Sequence, residues 1–209
     1  MLVNDIHDIH QANSQILHQG TRTLYRFWET IRAEKAAPNR DDLDLRKISD
    51  IVPNLMMLER DNMRQSYKWR LAGTETCLLY RRPLTGTDAL AGWDDFERST
   101  IVKLLDSVVT RLQPCIIRFR LKTTMDQVLG AEMIGLPIHS RNGSRFHVFG
   151  GIFPFQDISG IAYDGIAQLE LSGARTIWTE HLPGDKLVAG LRNTGAQMGG
   201  LRLIHGGRD

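Results

Sequence analysis

The stretch WRLAGTETCLLYRRPLTGTDALAGW, residues 69–93, decides the fold. It continues an alternation in which Tyr67, Trp69 and Leu71 fall on one side and Lys68 and Arg70 on the other, as in a strand with one covered face. Gly73 stops the strand, and Thr74 is placed to cap a short helix through Tyr80 by accepting a backbone N–H. Pro83 and Gly86 then mark a loop. A strand that hands over to a short helix within two residues implies a mixed α+β domain.

Upstream, residues 55–59 read as a short apolar strand and polar residues 60–66 as a hairpin loop. Residues 41–54 form a polar connector ending near Pro53, with a short helix and a turn. Further back, Ile6, Ile9, Ile16, Leu17, Leu24, Phe27, Trp28 and Ile31 repeat at helical spacing with polar residues between them. Gly20 weakens the middle of this pattern, and Pro38 with Asn39 ends it. So many apolar side chains on one helix need a cover, which is either the chain's own domain or the same face of a second copy. The expectation carried forward is a homodimer with residues 6–31 as a major part of its interface.

Downstream, Asp94 with Glu97 three residues later resembles a capping box, and Ile101, Leu104, Leu105, Val108, Val109 and Leu112 supply a broad apolar stripe that Pro114 terminates. Three strands follow over residues 115–123, 128–138 and 146–155, the last two joined through Asn142-Gly143, a pair that tolerates positive φ. Cys115, Ile117, Phe119 and Leu121 share one face of the first of them and Arg118, Arg120 and Lys122 the other, which gives a buried side and a solvated side. Beyond Phe155 the pattern fades into an isolated Ile177-Trp178 and many glycines, read as a mobile tail. The expected fold is α+β: a five-stranded antiparallel sheet with helices on one face, plus an N-terminal helical extension. The division is a helical extension (1–37), the domain (38–157) and a partly disordered C-terminal segment (158–209).

Composition removes several classes of function. Among 209 residues, 26 Lys and Arg against 24 Asp and Glu leave a formal charge of +2, with no excess that calls for a nucleic-acid partner. Two cysteines, Cys77 and Cys115, are too few for a disulfide framework and fit a reducing compartment. No apolar run is long enough to span a bilayer, and MLVNDIHDIHQ lacks the basic and apolar regions of a signal peptide, so a cytoplasmic location without membrane contact is expected.

With the element order in place, the 69–93 stretch resembles a compact, stand-alone bacterial subgroup of PAS proteins, in which a strand ending R-L-A-G-T leads through a short helix to a G-R-x-L-T-G turn. WETIRAEKAAPNRDDLDLRKISDIVPNL, residues 28–55, is similar to the entry segment of the same subgroup. The resemblance runs roughly from Phe27 to Phe155 and departs at Arg81, where the subgroup has Gly, which implies a differently bent turn. It implies a PAS-type sensory or docking domain with no kinase or cyclase of its own, acting through an unidentified signalling protein.

The pocket of such a domain lies between sheet and helices. Trp69, Leu71, Leu78, Tyr80, Phe96, Leu104, Phe119, Met133, Val148 and Phe149 are its expected lining, with His147 the one histidine near it. Bulky aromatics at several of these positions favour a filled or small cavity, and the residues name no cofactor. Neither the scattered histidines nor Cys77, whose surroundings TETCLLYRR do not match a flavin light-sensor motif, make a metal or flavin site. His7 and His10 sit on one helical face, with packing the preferred role. Asp88, Asp94, Asp95 and Glu97 are better explained as acids at a helix start than as acid–base catalysts. A sensor without enzymatic activity is the expectation. The alternatives are a small α+β cone-fold enzyme with an acid–base pair in the sheet cavity, and a structural adaptor without a ligand.

Overall fold

The computed structural model describes residues 16–61, 63–140 and 146–177. Helix α1 (Gln19–Arg32) leads through two 3-10 segments, Arg40–Asp42 and Leu45–Asn54, into strands β1 (Leu55–Asp61) and β2 (Ser66–Ala72). Helices α2 (Thr74–Tyr80) and α3 (Asp95–Thr110) follow, then β3 (Cys115–Thr123), β4 (Val128–His139), β5 (Phe146–Pro154) and β6 (Ile166–Thr176). The strands make one antiparallel sheet in the order β2-β1-β5-β4-β3-β6.

The helix starts and stops have local causes. Asp94 caps α3 by accepting from the Glu97 N–H at 2.8 Å, but Glu97 does not reach back as a capping box requires; its carboxylate accepts the Leu171 N–H of β6 at 2.7 Å instead. The α3 helix ends at Thr110, before Pro114, and Leu112 has a positive φ of 58°. The cap of α2 is Gly73 rather than Thr74. Glycine is required there because a Cβ would run into the Pro53 carbonyl oxygen, while the Gly73 N–H donates to the Leu55 oxygen at 2.8 Å.

Two findings correct the expected architecture. The sheet has six strands: residues 166–176, inside the segment read as a tail, pair along the whole of β3, and Ile177 is buried with its N–H on the Pro114 oxygen. Trp178 and the glycines after it, like Asn142-Gly143, lie outside the described residues. The sheet is also covered on both faces. Its inner face, with Cys115, Ile117, Phe119 and Leu121, packs against Leu79 of α2 and Ile101, Leu105 and Val108 of α3. The outer face carries a second core in which Leu24, Tyr25, Phe27 and Trp28 of α1 meet Ile116, Ile134, Leu136, Phe149 and Phe153. The "solvated" side of β3 is therefore wet only in part: Arg120 is exposed, Ile116 is buried, and Arg118 is half-buried against Glu132.

Ile16, Leu24, Phe27 and Trp28 are buried in the chain's own outer core, and Ile31 packs against it. The need for a cover is met by the sheet. Leu17 remains 55% exposed, and Ile6 and Ile9 lie outside the described residues.

Candidate functional site

The site has two halves, back to back across the sheet. On the inner face a residual cavity of about 20 Å3 is bounded by Leu58, Trp69, Tyr80, Ala89, Leu90, Trp93, Ile101, Ile117, Phe119, Met133 and Ile152. That is room for about one water molecule, in surroundings too apolar to hold it well. Trp69 meets Tyr80 edge-on at 5.9 Å, and Trp93 meets Phe119 edge-on at 5.4 Å, so the aromatic rings fill the space between sheet and helices.

Four of the expected pocket residues, Trp69, Tyr80, Phe119 and Met133, line this cavity, while Leu78, Leu104 and Val148 belong to the surrounding inner core. The others do not converge there. Leu71 faces the outer side because Arg70 is an extra residue in β2: Leu58 pairs with Trp69 and Met57 with Leu71, and this bulge reverses the alternation between Trp69 and Leu71. Phe96 is 82% exposed, off the Ile101, Leu105 and Val108 stripe that α3 buries. Phe149 belongs to the outer core, and His147, opposite Ile138 in the ladder, falls on that same outer face by strand alternation. Trp93 was missed; its one sequence signal is an aromatic residue immediately before a helix cap.

The outer half is built around Glu132, whose side chain is fully buried. Its carboxylate accepts the backbone N–H groups of Leu17 at 3.1 Å and His18 at 2.9 Å, and the Arg118 Nε–H at 2.8 Å. Burial works against ionisation here. The bonds from His18, Arg118 and Leu17 outweigh it and hold the carboxyl below its ordinary range. His18 completes the joint: its Nδ1 accepts the Gly20 N–H at 3.0 Å as the cap of α1, and its ring stacks on Phe153 at 5.2 Å. A Cβ on Gly20 would strike the Phe153 ring, so glycine lets the helix start sit this close to β5. Burial pushes the His18 imidazole below its ordinary value, against the raising influence of Glu132 and the Pro154 carbonyl. At the far end of α1, Trp28 Nε1–H donates to the Pro137 oxygen at 2.9 Å.

The two halves share strands residue by residue. Ile117, Met133 and Ile152 form a cross-strand row that borders the cavity, and their neighbours Arg118, Glu132 and Phe153 form the next row, which holds α1. A single peptide unit on each strand separates the first row from the second.

Three of the acids weighed as catalysts hold local structure. Asp88 accepts from Ser66 and Arg98, at 2.8 and 2.7 Å, and Asp94 and Glu97 hold helix and strand ends as described. Burial pushes the Cys115 thiol up to about 12, which keeps it protonated. His7 and His10 lie outside the described residues. At Arg81 the turn keeps the left-handed conformation that glycine adopts freely, with φ 53° and ψ 28°, rather than bending differently. The arginine is held there by its Nη2 donating to the Ile161 oxygen at 2.7 Å and by stacking 4.2 Å over Tyr163.

Residues 16–153 match the family model described as PAS domain, and the chain belongs to that family. Comparison with the curated proteins returns no match. The family is typically involved in sensing and signalling, and in this chain the antiparallel sheet carries α2 and α3 on its inner face. Among the described residues no helix is long and apolar enough to cross a membrane.

Proposed function

We propose that the chain is a non-enzymatic sensory domain that passes a change at its core through the sheet to α1, and through α1 to a signalling protein partner. The observation that carries this reading is the pair of adjacent rows, Ile117-Met133-Ile152 at the cavity and Arg118-Glu132-Phe153 at the helix joint. A close-packed interior transmits displacement rather than absorbing it, and the joint is a set of hydrogen bonds with a definite geometry to lose. The small cavity fits a signal that reshapes the core more than one that fills an open chamber. Self-pairing belongs to the same reading, through exposed Leu17, because the apolar face from Leu24 to Trp28 is taken by the sheet.

Overfilling the cavity tests the proposal. Met133→Trp should increase hydrogen exchange at the start of α1 while residues 101–108 of α3 stay protected. Equal protection of α1 in the two proteins would remove the basis for transmission across the sheet. Light scattering on Leu17→Glu addresses pairing: the expected result is a shift from dimer to monomer, and an unmodified protein that is already monomeric would end that part of the reading.

A further inference from the structure

The outer face of the sheet is not covered evenly. The α1 helix lies over β4 and β5, and at the β1–β2 corner the bulge that turns Leu71 outward leaves an open groove of about 470 Å3. This is within the roughly 300–1,000 Å3 typical of small-molecule sites, and far larger than the core cavity. Its floor is Met57 and Phe149, and its walls include Leu43, Val52 and Leu71. Leu71 is 44% exposed, an apolar side chain at the mouth of an apolar channel.

Arg40 supplies the one charged side chain among the lining residues. It is half-buried, and among the described residues its guanidinium makes no hydrogen bond or ion pair. Two neighbouring acids are engaged elsewhere. Asp42 is turned to the Asn39 N–H at 3.0 Å and to Lys35 at 3.7 Å, and Asp44 is paired with Arg46 at 2.7 Å. An unpaired guanidinium beside an apolar channel is complementary to an anionic head on an aliphatic chain, because the planar fork takes a carboxylate through two parallel bonds while the chain leaves water.

The geometry points to a binding site for a long-chain carboxylate, a free fatty acid, in this groove, with its head on Arg40 and its chain along Met57, Phe149 and Leu71. The site is on the opposite face from the core cavity and stands independently of the signalling reading.

Titration calorimetry of the purified full chain with decanoate, dodecanoate and tetradecanoate below their micellar concentrations is the test. Affinity should rise about fourfold for each methylene added. Arg40→Gln should weaken dodecanoate by about tenfold or more and leave dodecanol unchanged. Leu71→Asp, at a side chain already exposed, should weaken both, with the thermal melt of each variant showing that the fold is kept. No binding up to about 1 mM, dodecanol binding as tightly as dodecanoate to the unmodified protein, or both variants binding dodecanoate undiminished, would each overturn the assignment. Loss of self-association in Leu71→Asp together with no fatty-acid binding would place a second copy in the groove and overturn it equally.

Discussion

The two faces of the sheet are both buried, yet they are held by different chemistry. The inner face is sealed by aromatic and aliphatic packing, with Phe119 buried in it and half-buried Trp93 edge-on against that ring. The outer face is apolar under Leu24 and Trp28 but turns on a buried ionic joint, Glu132 with Arg118 and the N–H groups of Leu17 and His18 just before α1. Packing is cohesive and insensitive to pH. A joint made of one carboxylate, one guanidinium and one imidazole is directional and titratable, so the outer helix is the element whose attachment conditions can change.

The largest expected effect is on the inner face. Phe119→Ala should cost about 3–5 kcal/mol in denaturant melts, since the ring is fully buried and the core around it cannot collapse. A loss below about 1 kcal/mol would mean that the inner face is not the cohesive one. Next comes the joint: Glu132→Gln removes the charge that Arg118 and the helix start share, and should cost about 2–3 kcal/mol. The damage should be concentrated on α1, read as faster hydrogen exchange at residues 19–24 with α3 unchanged. A uniform loss of protection across both helices would erase the contrast between the faces.

Acidification sharpens the same contrast with a smaller effect. His18 holds the Gly20 N–H only while Nδ1 is unprotonated, and its folded-state pKa lies below its ordinary value. The stability it contributes is complete above the ordinary imidazole pKa of about 6.5 and is lost as pH falls through the lower folded value. The Glu132 carboxyl, also depressed, acts in the same direction, above the ordinary carboxylate range and downward through its own lower value. Once the intrinsic exchange rate at each pH is divided out, the start of α1 should therefore be less protected at pH 5 than at pH 7 while the protection of the inner core is unmoved. Tightening of α1 on acidification would instead show an imidazolium paired with Glu132. Smallest is Arg81→Gly, where relief of a left-handed arginine and loss of its contacts to Ile161 and Tyr163 oppose each other, for a net change within about 1 kcal/mol by thermal melt.

Much of the inner face was legible before any coordinates. Period-two alternation in β3 placed Cys115, Ile117, Phe119 and Leu121 together, Asp94 marked the start of α3, and the short helix ending at Tyr80 was read with its cap one residue late. The reading failed where something non-local intervened. One extra residue in β2 moved Leu71 to the other face, an edge strand with only Leu169 fully buried went unseen as β6, and no local pattern marks Glu132.

By itself the sequence determined the elements from the first helix through β5, their order and much of the inner core, because strand and helix periodicities are written in neighbouring residues. It also carried the family motif, including Gly73, whose need for a bare Cα comes from the approach of Pro53. Only the tertiary structure decided that α1 covers its own sheet, that Glu132 receives the start of that helix from more than a hundred positions away, and that the cavity row and the joint row lie back to back. Those are pairings between distant segments, set by strand register and by which faces the folded chain leaves uncovered, and no local pattern encodes either.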